Sequence, residues 1–390
     1  MIERLFSGDD RAIIETAREF ARTYFDEESV SRWYKEGGLP DSLMRAYRES
    51  GLGYVGLPAA YGGAQVSYPA QAAIIEELSR AAGTALPLQS HIYAFNIISK
   101  LANESQMKLI IRLFEETGRP CFSTAISDAL SGSDIAGATT AVIADGNNLR
   151  LSGRKVFVTN GEHAPYIMVA AKDMTVSNDI IRAPFSLWLI PANLEGITAY
   201  PLKKFGQGAI NSAAIVFENV HIKPEWRLES PNAPKESLER VMEFGRCIIC
   251  ASSLGMAQAA MEDAAHYANH RVIRNRRLGD FGQIALMLTD MQIALTNMRS
   301  HIYFAASRLE QQKLATLEVS LMKKYVPAAA VEVANTAMQI FGGVGYTDST
   351  RVSRIWADCR GNQFATGTDQ VMVVLAARKI LKRYGEEQSP

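Results

Sequence analysis

The sequence predicts an α+β chain in three parts: an all-α N-terminal domain over residues 1–120, a mostly antiparallel β domain over 121–228, and a C-terminal four-helix bundle over 237–386. Two changes of periodicity predict it. Apolar residues recur at i, i+3 and i+4 until about residue 120, then give way to short alternating β-branched runs. Near residue 237 the helical period returns in long segments. At 390 residues and 47% apolar, the chain holds ample core for two or three domains.

In the first part, "DDRAIIETAREFARTYFDEE" and "AQAAIIEELSRAAG" carry the amphipathic spacing, with Ser7 or Asp9 as the cap of the first helix. "LPAAYGGAQVSYP" is a Gly/Pro-rich turn between helices. In the second part, "TTAVIADGNNLRLSGRKVFVTNG", "YIMVAA", "FSLWLIPA" and "AAIVFENVHI" are strands separated by Gly, Asn and Pro, and the domain ends near Trp226. "ESPNAPKES" (229–237) reads as a linker. Four amphipathic segments follow, beginning at "LERVMEF", "FGQIALM", "LEVSLMK" and "DQVMVVL", as an antiparallel bundle requires. Pro327 lies inside the third and predicts a kink there.

Forty-one basic and 41 acidic residues cancel, so no charge excess points to nucleic acid or an anionic membrane. The N-terminus lacks the apolar core of a signal peptide, and no apolar run is long enough to cross a bilayer. Four sparse cysteines predict a reduced, cytoplasmic setting. Cys247 and Cys250 form a lone C-x-x-C in an apolar helix and read as buried thiols. Glu262, His266 and His270 share a helix face, but two or three residues on one face do not make a metal site, and none is expected.

Four loops carry more information. "AISDALSGSDIAG" (125–137) offers small and hydroxylated residues at the helix-to-sheet junction, where backbone can approach a ligand. "RKVFVTNG" (154–161) ends a strand with an aromatic at 157 and a hydroxyl at 159, a pair able to flank a flat heterocycle. "HRVIRNRRLGDFGQ" (270–283) places Arg271, Arg274, Arg276 and Arg277 near a helix end, either as a phosphate cluster or as a solvated basic face. "QIFGGVGYT" (339–347) sets glycines at 342, 343 and 345 after a helix, suited to a helix end and close backbone contact. Each alone is compatible with an ordinary turn.

Their order is specific. Together with "KKFGQGAINSAAIVFENVHI", "FGR" at 244–246 and "RIWADCRGNQFATGTDQ", the loops resemble the acyl-CoA dehydrogenase family over essentially the whole chain. The resemblance implies FAD held between the β domain and the bundle, an acyl-CoA or related acyl thioester as substrate, and α,β-desaturation as the reaction. It also implies a homodimer or homotetramer whose subunits complete each other's cofactor sites, and an electron-transfer flavoprotein or similar acceptor. Carried over by position, it puts the flavin ring against Thr124, Ile126, Ser127, Phe157 and Thr159, with Ser133 after Gly132 holding a phosphate or thioester-side group. Arg271, Gln283, Gln339 and Gly343 would reach the FAD of a neighbouring subunit, while Thr368 and Gln370 would meet the nucleotide end. Arg246 matches a helix arginine that borders the acyl pocket in relatives.

The departures concern the chemistry. The family's T-E-P-x-A-G-S-D reads Ser127-Asp128-Ala129-Leu130-Ser131-Gly132-Ser133-Asp134 here. Its R-x-x-F-G reads Arg271-Val272-Ile273-Arg274-Asn275, with one extra residue before Gln283, and its R-x-S-D-T reads Gly208-Ala209-Ile210-Asn211-Ser212. Its Y-E-G-T, which carries the catalytic carboxylate, reads Ala365-Thr366-Gly367-Thr368. Some relatives seat the base on the bundle helix just before the arginine, and that position is Gly245.

Desaturation removes an α-proton and a β-hydride, and a carboxylate in a dry pocket normally takes the proton. A threonine hydroxyl cannot replace it, but the backbone N–H at Thr366 survives as a donor to the thioester oxygen. Three functions therefore stay open: a dehydrogenase with a displaced base, an oxidase or monooxygenase of the same fold, or a non-catalytic, partner-dependent subunit. For the first, Glu243 is the nearest carboxylate in sequence to the Gly245 seat, and Asp369 is expected to point away along the last helix.

Overall fold

The computed structural model describes residues 2–64, 66–134, 137–146, 148–228, 235–311 and 314–385. Six helices lead: α1 Gly8–Tyr24, α2 Glu27–Glu36, α3 Asp41–Glu49, α4 Tyr68–Ala82, α5 Leu88–Leu101 and α6 Glu104–Thr117. Ser7 caps α1: its Oγ accepts from Asp10 N, and the Asp10 carboxylate accepts from Ser7 N, both at 3.0 Å. The predicted Gly/Pro turn runs between α3 and α4, with Gly62 at a φ of 82°.

Seven strands follow: β1 Phe122–Ala125, β2 Ala141–Asp145, β3 Asn148–Thr159, β4 Tyr166–Asp173, β5 Phe185–Pro191, β6 Ile197–Pro201 and β7 Ser212–Ile222. They form one sheet in the order β1-β4-β2-β3-β7-β6, with β5 beside β4. The sheet is mostly antiparallel; β4 pairs in parallel with β1 and β2. Its buried face is continuous and aliphatic, with Trp188 and Phe217 filling the space between the side chains of Val142, Val169 and Ile215.

The C-terminal part contains α7 Lys235–His270, α8 Gly282–Glu310, α9 Thr316–Phe341, the short α10 Val352–Asn362 and α11 Asp369–Gly385. α7 is the centre of the chain, packed on α9 on one side and on α4 and α5 of the first part on the other. Only glycine fits at 255, because a Cβ there would lie 2.2 Å from the Glu76 carbonyl oxygen on α4. α9 runs on through the buried Pro327.

Three local readings change. Residues 229–234 of the expected linker lie outside the described residues, and Lys235 onward already belongs to α7. The arginine-rich stretch is not simply a helix end: β8 Val272–Ile273 and β9 Arg276–Arg277 form a hairpin. Its two turn residues, Arg274 and Asn275, take positive φ of 50° and 58°, as a tight hairpin turn requires. α10 was not resolved as a separate helix by periodicity, because its 11 residues offer barely three turns.

Cys121, Cys247, Cys250 and Cys359 are free and buried. Glu262 pairs with Arg80 at 2.7 Å, and the His270 Nδ1 lies 2.8 Å from the His266 carbonyl oxygen. Among the described residues, no helix is long and apolar enough to cross a membrane.

Candidate active site

Two surfaces carry the candidate residues. The first is the end of β3 and the loop after β1. That loop is sewn onto β3 by backbone bonds, Val156 N to Ser127 O at 2.9 Å and Ala129 N to Arg154 O at 3.1 Å. Beneath them, fully buried Lys155 donates to Ile126 O at 2.8 Å and to the Asp128 carboxylate. Asp128 also accepts the backbone N–H groups of Thr139 at 2.6 Å and Thr140 at 2.8 Å. Burial acts to raise the Asp128 pKa, but the Lys155 ammonium and the Thr140 N–H outweigh it and hold the carboxyl below its ordinary value. This anchor brings Ile126 and Ser127 beside Phe157.

Phe157 is unusual. The pairing of β3 with β7 slips between Lys155 and Val158, and Phe157 takes a φ of 57° at that bulge. Its ring is 72% exposed. A strained aromatic held open to solvent is a costly arrangement, of order 1–3 kcal/mol for the backbone alone. Thr124, Ile126, Ser127 and Thr159 are half-buried around it. An exposed aromatic with hydroxyl groups nearby fits a flat heterocycle with polar edges. Gly132 and Ser133 are exposed on the same loop, and a Cβ on Gly132 would meet nothing within 4 Å.

The second surface is the turn between α10 and α11. Thr366 has a φ of 54°, a rare conformation for a β-branched residue, and Gly367 follows at 104°. Three contacts impose it. Arg246 Nε on α7 donates to Thr366 O at 3.2 Å. The fully buried Lys323 Nζ on α9 donates to Asn362 O at 2.9 Å, closing the end of α10. Gln363 Nε2 donates to Asp369 Oδ2 at 2.9 Å across the turn. The Thr366 hydroxyl turns back to Ala365 O at 2.8 Å. Among the described residues, nothing accepts from the Thr366 N–H.

Two expectations about carboxylates change. Glu243 has a structural partner as well: it is buried, and its Oε2 accepts from Ala315 N at 2.9 Å, the residue that opens α9. An orphan N–H at a helix start takes a carboxylate readily, so the local charge pattern of α7 did not reveal that destination. Gly245 is not an open seat either. A Cβ there would stand 2.8 Å from Tyr93 Cε2, because the Tyr93 ring from α5 rests on α7 at that point. Asp369, expected to point away along α11, is engaged by Gln363.

The remaining positions are peripheral in a single chain. Arg271, Gln283, Gln339, Gly343 and Gln370 are exposed, and Thr368 accepts from Val371 N at 3.3 Å as the cap of α11. Arg271 and Gln283 flank the β8–β9 hairpin, whereas Gln339 and Gly343 sit at the end of α9. Sequence reasoning missed Tyr93, Lys155, Asp128 and Lys323. A buried lysine leaves one signal, a cation at an apolar period position, and Lys323 in "LEVSLMKKYV" carries it.

The comparisons identify the family and its fold. Residues 7–115, 123–220 and 236–381 match the N-terminal, middle and C-terminal domains of acyl-CoA dehydrogenases. The chain is 30% identical to a probable acyl-CoA dehydrogenase of Escherichia coli (strain K12) over 376 residues, 96% of this chain and 97% of that one. It is 40% identical to the acyl-CoA dehydrogenase of Slackia heliotrinireducens DSM 20476, whose structure matches at a TM-score of 0.86 over 98% of each chain. The butyryl-CoA dehydrogenase of Megasphaera elsdenii, at 23% identity, shares the fold at a TM-score of 0.86, over 96% of this chain and 99% of that one. The chain belongs to the acyl-CoA dehydrogenase family, a family of FAD-dependent oxidoreductases.

Proposed function

We propose that this chain binds FAD and oxidises an acyl-CoA or related acyl thioester across its α,β bond. The observation that carries the reading is the Thr366 turn. Its N–H is unpaired, its carbonyl is held by Arg246, and its strained φ is imposed by the surrounding contacts. A preorganised N–H of this kind stabilises charge that develops on a thioester oxygen. Arg246 and Lys323 keep that donor in place. Phe157, Thr159, Thr124, Ile126 and Ser127 would hold the flavin ring, and Gly132, Ser133, Thr368 and Gln370 its polar extensions. FAD, when bound, supplies the acceptor for the β-hydride.

The proton is the open step. Thr366 and Gly245 carry no carboxylate, Glu243 is engaged by Ala315 N, and Asp369 at the turn is engaged by Gln363, so no free carboxylate is assigned to the α-proton. That favours a second reading, an oxidase or monooxygenase that uses dioxygen and needs no base at the α-carbon. A titration of the FAD-loaded protein with a panel of acyl-CoAs under nitrogen separates the two. Bleaching of the flavin band supports desaturation. Absence of bleaching with every thioester, with thioester-dependent oxygen uptake in air once an added reductant such as NADH or a reduced free flavin supplies the electrons, supports the second reading and removes the first.

The active form is a homodimer or homotetramer, and an electron-transfer flavoprotein or similar acceptor reoxidises the flavin in a cytoplasmic setting. Supporting the assembly, Arg271, Gln283, Gln339 and Gly343 are exposed, and so are Val373, Val374 and Leu381 on the outer side of α11. Arg271→Ala is expected to weaken FAD retention more than Arg276→Ala does. The Arg276 guanidinium is already occupied, donating to Asp280 O at 3.0 Å and lying 4.9 Å from the centre of the Phe281 ring. Equal FAD dissociation constants for the two variants, measured by fluorescence titration, would count against a role for Arg271 at the cofactor.

A further inference from the structure

α7 leaves one face half-buried at Met242, Arg246 and Ile249, about one helical turn apart, while Phe244 and Cys247 on its other faces are buried. Two other half-buried groups border that face, Thr366 and Tyr93. Tyr93 rests on position 245: a Cβ on Gly245 would lie 3.0 Å from Tyr93 Cζ and 3.2 Å from its hydroxyl oxygen. The hydroxyl donates to Met242 Sδ at 3.5 Å, its one acceptor among the described residues. A thioether is a weak acceptor, so this hydroxyl is poorly satisfied. Burial raises its pKa to about 12, which keeps it a protonated donor at neutral pH.

Arg246 has the same deficit. Beyond the Nε bond to Thr366 O, its N–H groups have no hydrogen-bond acceptor among the described residues, although the Glu243 charge favours its cationic form. Glu243, one turn earlier, is committed to Ala315 N. The remaining Arg246 N–H groups still reach solvent, so water can serve them until a ligand takes its place. A purely alkyl chain laid beside Arg246 and the Tyr93 hydroxyl would leave both unpaired and displace any water that serves them.

We infer that Tyr93 determines which acyl group the site accepts, selecting thioesters whose chain carries a hydrogen-bond acceptor (a hydroxyl, carbonyl or carboxylate) over plain alkyl thioesters. The ring defines the wall where α7 has no side chain, and the hydroxyl, with Arg246 beside it, supplies the donors. This rests on the acyl-thioester reading above and narrows it to a substrate class.

Calorimetric titration of the FAD-loaded protein with butanoyl-CoA, 4-hydroxybutanoyl-CoA and succinyl-CoA tests it, since the three share a four-carbon chain. Wild type is expected to bind at least one of the acceptor-bearing thioesters more tightly than butanoyl-CoA. Tyr93→Phe keeps the ring over Gly245 and removes only the hydroxyl. In that variant the preference is expected to fall about tenfold, the effect of one lost hydrogen bond in a dry site. An unchanged preference in Tyr93→Phe, or a wild type that binds butanoyl-CoA tightest, overturns the inference while leaving the acyl-thioester reading intact. If none of the three binds, the inference fails, while the acyl-thioester reading is decided by the wider acyl-CoA panel.

Discussion

Thr366→Glu is expected to speed flavin reduction by an acyl-CoA about tenfold or more, measured by stopped flow under nitrogen. A positioned general base contributes about 10² to 10⁴ in rate, so even an imperfectly placed carboxylate should register. The backbone favours the change. Thr366 holds a φ of 54°, where a β-branched side chain crowds the chain more than an unbranched one does. The contacts that shape the turn use the Thr366 carbonyl and the end of α10, not the threonine side chain. The N–H donor therefore remains when the side chain changes. The small Ala365 leaves room for the new carboxylate to sag, which limits the gain.

Gly245→Glu, the other seat for a base, is expected to fail. Its Cβ would meet the Tyr93 ring at 2.8 Å, within a packed helix pair, and the variant should lose stability without gaining rate. A wild type that already reduces its flavin quickly, slowed by Thr366→Glu, would mean that a base acts from elsewhere.

The second large effect concerns the cofactor platform rather than the chemistry. Lys155→Met is expected to lower stability by about 3–5 kcal/mol, because it strands the Asp128 carboxylate in the interior. The two N–H groups of Thr139 and Thr140 still reach Asp128, which places the loss toward the lower end. The loop at 126–128 would also lose the ammonium that holds Ile126 O, so FAD retention should weaken with it. Urea unfolding followed by circular dichroism, paired with an FAD titration, checks both. An unchanged urea midpoint would show that the buried pair does not anchor this loop. Replacing both partners with apolar residues should recover much of the stability but not the loop position, since packing can substitute for the charges but not for the bond to Ile126 O.

Much of the architecture was legible because it is written in short-range periodicity. The apolar residues of α1, α4, α7 and α9 recur at helical spacing, and those of the long strands alternate, so three or four neighbours suffice to read each element. The hairpin at 272–277 escaped because Arg274-Asn275 lacks the glycine that usually marks such a turn. The Ser127 loop and the Phe157 strand end are candidates on residue type, and the structure joins them through the Val156 N to Ser127 O bond.

The sequence by itself thus determined the three-part fold class, the family and the absence of an acid at residue 366. Only the tertiary structure decided what surrounds that position and the other candidate seats. That Glu243 reaches the start of α9, that Tyr93 covers Gly245 and that Arg246 holds the Thr366 carbonyl depend on partners 72, 152 and 120 residues apart. Such contacts leave no local pattern, because the direction of a side chain is set by the packing of helices against one another and not by the residues beside it in the chain.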